Sequence, residues 1–235
     1  MKILALDTSA KVSSVSIVTE ERVMAEFSVH LNFTHSQTIM PMCEQLLSCC
    51  QIPLEEIDAF AVSKGPGSFT GLRIGLSAVK GMAFSLQKPC IGVSTLDALA
   101  LNGRHFEGIV CCVMDARCNQ VYNALYENRQ GAFTKLTEDR ALFIDELSQE
   151  LKELQKPVLL IGDGAELCYN KLSGILPSLF LAAENNRYQR ASSVGLAALE
   201  KARRGEFLSA SELVPQYLRL PQAQRERMKK LEEQK

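Results

Sequence analysis

The sequence predicts an α/β protein built from two similar halves with mixed sheets. A strand, an aspartate and a second strand occur twice, as "KILALDTSAKVSSVSIV" and "IVCCVMDARCNQVYNALY", and the aspartates, Asp7 and Asp115, lie 115 − 7 = 108 positions apart. Helical and apolar strand patterns follow each copy. We assign residues 1–104 to the first half, 105–221 to an abbreviated second half, and 222–235 to a polar tail expected to be frayed or disordered.

Apolar periodicity defines the elements of the first half. Alternating or continuous apolar runs predict strands, and apolar side chains at helical spacing predict helices. The sequence gives strands at 2–7, 12–18 and 23–29, a helix at 36–50, a strand at 58–63, a helix at 71–86 and a short strand at 90–93.

The second half repeats the order with shorter segments. It gives strands at 109–115 and 120–126, a helix at 145–154, a strand at 158–161 followed by a Gly-Asp-Gly turn, and helices at 165–172 and 193–204.

Charge and cysteine content exclude several classes of protein. Lys and Arg number 26 against 27 Asp and Glu, a formal net charge of −1, so we expect no binding of tRNA or DNA by the chain alone. The chain runs from Met1 directly into a strand, which leaves no room for a signal peptide. The 8 cysteines form no Cys-x-x-Cys pair. No apolar run approaches the roughly 20 residues of a membrane span. We therefore expect a cytoplasmic protein without a membrane segment.

The loop "GPGSFTG" joins a strand to a helix and favours two interpretations equally. Glycines before a helix N-terminus can bind an anion through backbone N–H groups, which makes Gly65, Gly67, Ser68 and Thr70 candidates for contact with phosphate. The loop matches neither the Walker A motif nor Gly-x-Gly-x-x-Gly. The alternative is a tight turn in which Ser68 or Thr70 caps the following helix.

The sequence contains no motif typical of a nucleophilic or metal-dependent active site. No serine lies in Gly-x-Ser-x-Gly, and the 3 histidines, His30, His35 and His105, form no pair at helical spacing. A Ser-His-Asp triad, a peptidase and a catalytic metal site are therefore poorly supported, and we assign no catalytic residue and no metal ligand. His35 is expected to cap or line a helix end.

The helix predicted at 71–86 carries several glycines and is apolar around most of its circumference. Each interior glycine costs about 1 kcal/mol relative to alanine, so a close approach by another segment must offset that cost. The segment belongs either to this chain or to a second chain covering this helix and the helix at 36–50. For the second case the candidate interface residues are His35, Ile39, Met42, Cys43, Leu46, Gly71, Leu72, Gly75, Ala78, Val79 and Met82.

The repeated strand-aspartate-strand layout resembles the actin, sugar-kinase and Hsp70 superfamily. That resemblance implies two actin-like, ribonuclease-H-like halves whose aspartate turns face nucleotide phosphates across a cleft. It makes Asp7, Thr8, Ser9 and Asp115 candidates for contact with nucleotide phosphate, in addition to the residues of the glycine loop. The turns "DTSAK" and "DARCN" lack the glycine usual in that superfamily.

At finer grain the chain resembles the TsaB (YeaZ) family. The motifs are "ILALDTS", "HSQTIMP", "GPGSFTGLRIGLSAVKGMA", "MDARCNQVY", "IGDGAE" and "LVPQYLR". The resemblance implies a non-catalytic subunit of the machinery that makes threonylcarbamoyl-adenosine in tRNA.

In that family the expected partners are TsaD and the ATPase TsaE, with tRNA bound only through the complex and a homodimer through the same helical face when TsaD is absent. The chain alone requires no cofactor, while ATP and Mg²⁺ act at the level of the complex. The alternative is an autonomous nucleotide-binding ATPase or phosphotransferase.

Overall fold

The computed structural model describes residues 1–31, 34–130 and 132–219. The first sheet has five strands in the order β3-β2-β1-β4-β5. The strand β1 pairs antiparallel with β2 and parallel with β4, so the sheet is mixed. These strands are β1 (Lys2–Asp7), β2 (Ser13–Thr19), β3 (Val23–Val29), β4 (Ala59–Gly65) and β5 (Cys90–Ser94).

The second sheet repeats this topology in the order β11-β10-β6-β7-β8, with β9 also paired to β7. Here β6 has the place of β1, because it pairs antiparallel with β7 and parallel with β10. The strands are β6 (Gly108–Asp115), β7 (Gln120–Arg129), β8 (Ala132–Lys135), β9 (Arg140–Phe143), β10 (Val158–Ile161) and β11 (Leu179–Leu181).

The helices cover both faces of each sheet, as a predominantly buried sheet requires. They are α1 (His35–Cys50), α2 (Phe69–Leu86), α3 (Thr95–Leu101), α4 (Ile144–Leu154), α5 (Ala165–Leu172), α6 (Glu184–Arg187) and α7 (Ala191–Arg203), with a 3₁₀ turn at Leu54–Glu56. The outer face of the first sheet packs against α1 and α2, and that of the second sheet against α4 and α5.

The last helix of each half packs on the sheet of the other half. Side chains of α7, from the second half, pack on β1, β4 and β5, while α3, from the first half, packs on β6 and β7. The two halves recognised in the sequence are therefore joined through exchanged helices. The sequence boundary at 104/105 falls between α3 and β6.

The predicted α/β class with two mixed sheets is confirmed, and the predicted elements differ from the observed ones only at their ends. The sequence missed α3, α6, β8, β9 and β11, which are short. The second half is abbreviated in its helices, since α4 and α5 have 11 and 8 residues against 16 and 18 for α1 and α2. Its sheet has no fewer strands.

No helix among the described residues is both long and apolar enough to span a bilayer. The predicted tail at 222–235 lies outside the described residues.

Candidate functional site

A cleft of ≈ 460 Å³ lies between the two halves, where β1 and β6 each end in an aspartate turn. Because the two strands hold equivalent places in their sheets, the turns after Asp7 and Asp115 face the same cleft. The lining residues are Ser9, Ala10, Lys11, Gly67, Ser68, Phe69, Thr70, Met114, Asp115, Ala116, Arg117, Tyr122, Asp163, Gln216, Tyr217, Leu218 and Arg219.

Asp7 does not line this cleft. Its side chain is 1% exposed, and its carboxylate accepts hydrogen bonds from Ser9 N at 2.8 Å, Ser9 Oγ at 2.6 Å and Ser63 Oγ at 2.5 Å. Burial raises the pKa of Asp7, and these hydrogen bonds oppose that increase by favouring the charged form. Asp7 therefore ties the first turn to β4.

Two other candidates for phosphate contact, Thr8 and Gly65, are packed inside the chain. Thr8 is buried and its Oγ1 donates to the carbonyl oxygen of Gly71 at 2.8 Å. Gly65 has φ +127°, and a Cβ there would lie 2.2 Å from the carbonyl oxygen of Gln216. Both positions are explained by close packing of backbone segments.

The glycine loop holds α2 against the first turn and presents its N-terminus to the cleft. Ser68 N donates to Ser9 O at 2.7 Å, and Ser68 Oγ caps α2 by accepting from Gly71 N at 3.3 Å. Thr70 is exposed at the cleft. Ser68 is thus the N-cap, one of the two residues that the sequence allowed. Gly67 lies where a Cβ would meet Ser9 O at 2.4 Å.

The second half contributes two carboxyl groups to the cleft. Asp115 is exposed, and its Oδ1 accepts from Arg117 N at 2.7 Å. Burial raises the pKa of Asp163 to about 6; a hydrogen bond from the Asp115 backbone and the charge of Lys11 lower it, while the Asp115 charge raises it. The cleft therefore combines carboxylates from one half with a lysine and a helix N-terminus from the other.

The sequence missed part of this lining. Arg117 and Asp163 lie inside the motifs "MDARCNQVY" and "IGDGAE", and Lys11 lies in the turn "DTSAK". Their position in turns after strands was the available signal. The segment 216–219 belongs to the motif "LVPQYLR", but nothing local in that motif indicated the cleft, because only the folded chain brings it there. Among the described residues no three His, Cys, Asp or Glu side chains group as metal ligands do.

Most residues predicted for a partner interface are buried inside this chain. The buried ones are Ile39, Met42, Cys43, Leu46, Gly71, Leu72, Gly75, Val79 and Met82. The physical reason is amphipathicity: α1 and α2 turn this stripe toward the first sheet, where it forms the core of the outer layer. His35 Nε2 donates to Ala10 O at 2.7 Å, and His35 and Ala78 are partly exposed.

The opposite faces of α1 and α2 carry exposed apolar side chains. Phe84 on α2 is 80% exposed and Met40 on α1 is 47% exposed. Ile74 and Ala78 of α2 are partly buried and adjoin the core. We refer to these four side chains of α1 and α2, Met40, Ile74, Ala78 and Phe84, as the helical face.

Comparison with known proteins identifies the family. The family model described as "TsaD: tRNA N6-adenosine threonylcarbamoyltransferase" matches residues 31–226. The tRNA threonylcarbamoyladenosine biosynthesis protein TsaB of Bacillus subtilis is 35% identical over 95% of this chain and 96% of its own length. TsaB of Escherichia coli is 34% identical over 70% of this chain and 72% of its own length.

A solved structure agrees with these relatives. A Pseudomonas aeruginosa protein described as uncharacterized, with similarity to peptidase YEAZ, superposes with a TM-score of 0.80 at 30% identity, covering 93% of this chain and 99% of that one. The chain therefore belongs to the TsaB family of tRNA threonylcarbamoyladenosine biosynthesis proteins.

Proposed function

We propose that this chain is a non-catalytic subunit of the machinery that forms threonylcarbamoyladenosine in tRNA, and that it pairs with TsaD through the helical face and with the ATPase TsaE. The observation that carries the pairing is the exposure of Phe84, at 80%, on a helix whose other side is fully packed. A large aromatic side chain held by a rigid helix is a typical anchor of a protein interface.

Because this chain matches the TsaD family model, we expect TsaD to have the same fold as this chain. Two chains of this fold can bring equivalent helix pairs together, which buries both apolar faces at once. For the same reason we propose that this chain forms a homodimer through the helical face when TsaD is absent.

The state of Asp7 supports an accessory role. Its carboxylate already accepts three hydrogen bonds from Ser9 and Ser63 inside the chain. A carboxylate engaged in this way is not available to a nucleotide-bound metal ion unless those bonds break. We propose that ATP and Mg²⁺ act in the complex, that tRNA is contacted through the complex, and that the chain works in the cytoplasm without a cofactor of its own.

The test of the pairing is Phe84→Asp, with Phe143→Asp as matched control. Phe143 is 48% exposed and precedes α4 in the second half, where aspartate is a favourable N-cap. We expect Phe84→Asp to weaken TsaD binding at least tenfold in calorimetry, since placing a charge in an apolar interface costs more than about 1.4 kcal/mol. The control should bind normally. Equal TsaD binding by both folded variants would show that the helical face is not the surface that binds TsaD.

The test of the cellular role is depletion of this protein followed by mass spectrometry of tRNA nucleosides. Loss of threonylcarbamoyladenosine is expected, and normal levels would refute the assignment. The alternative function, an autonomous ATPase, requires Mg-ATP turnover by the isolated chain that Asp7→Ala abolishes. We expect no such turnover.

A further inference from the structure

The segment 206–219, which we call the C-terminal strap, leaves α7 and returns along the first half. Leu208 and Cys90 exchange backbone hydrogen bonds of 2.8 and 2.7 Å, Leu213 is fully buried in the outer core, and Gln216 N donates to Lys64 O at 2.7 Å. Gly65 provides room for this path, because any side chain there would meet Gln216. The strap is therefore anchored to the first half over most of its length.

Beyond Gln216 the strap turns across the cleft. The ring of Tyr217 stacks on Phe69 at 4.5 Å, and Arg73 Nε donates to Tyr217 Oη at 3.0 Å, which fixes the strap at the start of α2. Arg219 then reaches the other half, where its Nη1 donates to the carbonyl oxygen of Ala116 at 2.6 Å. A guanidinium donor makes this hydrogen bond stronger than one between neutral groups.

The two halves are also joined on the side of α3. Asp97 Oδ1 of α3 accepts from Tyr126 Oη at 2.6 Å and from Lys135 Nζ at 2.7 Å, and Ser94 Oγ donates to Asp139 Oδ2 at 2.5 Å. Together with the exchanged helices, these partly buried bonds hold the two halves together through residues that do not line the cleft. The Arg219–Ala116 hydrogen bond instead joins the second aspartate turn to the first half at the cleft itself.

We propose that the C-terminal strap is a latch that holds the two halves closed over the cleft, with Arg219 as the residue that bridges them. Release of Arg219 lets the second aspartate turn move away from α2 and widens the cleft, while the bonds beside α3 keep the two halves joined. The width of the cleft is then set by a segment of this chain.

The experiment is hydrogen–deuterium exchange of the full chain, comparing wild type with Arg219→Ala, Arg219→Lys and the control Arg203→Ala. Arg203 is a surface arginine paired with Glu200 on α7. The reporters are peptides covering 114–120, where Gln120 N donates to Arg117 O, and 214–219, where Gln216 N donates to Lys64 O. A thermal unfolding curve for each variant separates local opening from global destabilisation.

We expect Arg219→Ala to speed exchange in 114–120 by about tenfold, as loss of one charge-assisted hydrogen bond permits, with exchange in β1 and in residues 108–113 of β6 unchanged. Arg219→Lys should restore part of the protection and Arg203→Ala should change nothing. Unchanged exchange in 114–120 would overturn the latch. So would faster exchange throughout the chain with a matching fall in the unfolding temperature, because Arg219 would then support the whole fold.

Discussion

Thr8 and Gly75 are in direct contact, so a Cβ on Gly75 would lie 2.4 Å from Thr8 Oγ1. The same Oγ1 donates to the carbonyl oxygen of Gly71 at 2.8 Å, one turn earlier in α2. The glycines of α2 therefore admit the first aspartate turn to the helix surface. This contact inside the chain offsets the cost of glycine in a helix.

Gly75→Ala is predicted to destabilise the protein by about 1–3 kcal/mol, since a Cβ forced against Thr8 overpacks a buried contact. Urea unfolding followed by circular dichroism measures the change. The matched control is Gly81→Ala on the exposed side of the same helix, where no atom lies within 4 Å of the added Cβ. That substitution should stabilise by about 0.5–1 kcal/mol. Equal effects at both glycines would contradict the packing described for Thr8.

Ser63→Ala is predicted to lower the free energy of unfolding by about 1–3 kcal/mol at pH 8, because it removes a donor from the buried carboxylate of Asp7. The hydrogen bond favours the charged form, so its removal raises the pKa of Asp7 further. The loss should therefore be smaller at pH 4 than at pH 8. Ser77→Ala on the exposed face of α2 is the control and should be near neutral. A loss that does not depend on pH would argue against a charged Asp7.

Asp163→Asn is predicted to stabilise the protein at pH 8. Burial raises the pKa of Asp163 from 3.8 to about 6, so the folded state binds the proton more tightly than the unfolded state. The free energy of unfolding therefore falls as pH rises from about 4 to about 6, by at most about 3 kcal/mol. The variant lacks this fall, so the two proteins should be equally stable near pH 4 and diverge above it.

Denaturant titrations from pH 4 to 8 measure this divergence. The charged groups that act on Asp163 are Asp115 and Lys11. Asp115→Asn should lower the pKa of folded Asp163, because it removes a neighbouring negative charge, so the divergence should end at a lower pH and reach a smaller size. Parallel stability curves for wild type and Asp163→Asn would show that the carboxyl group is not buried in the way described.

The sequence by itself determined most of the elements and the duplication. Alternating apolar residues fix which side of a strand is buried, and the two aspartate turns indicated equivalent strands in two sheets. Ser68 could be nominated as a helix cap because capping depends on neighbours within one turn. Family membership also followed from motifs spread along the chain.

The tertiary structure alone decided which side of each helix is free. Gly75 and Val79 were candidates for a partner interface, because small and apolar residues are common there. In the structure they belong to the apolar stripe of α2 that faces the sheet, while Phe84 is exposed. Asp7 and Asp115 occupy equivalent turns, yet only the packing of Ser63 and Ser9 makes one of them internal and leaves the other at the cleft. Likewise, Arg219 meets Ala116 across 103 positions of sequence. Contacts of this range depend on how whole elements pack, and no local pattern encodes them.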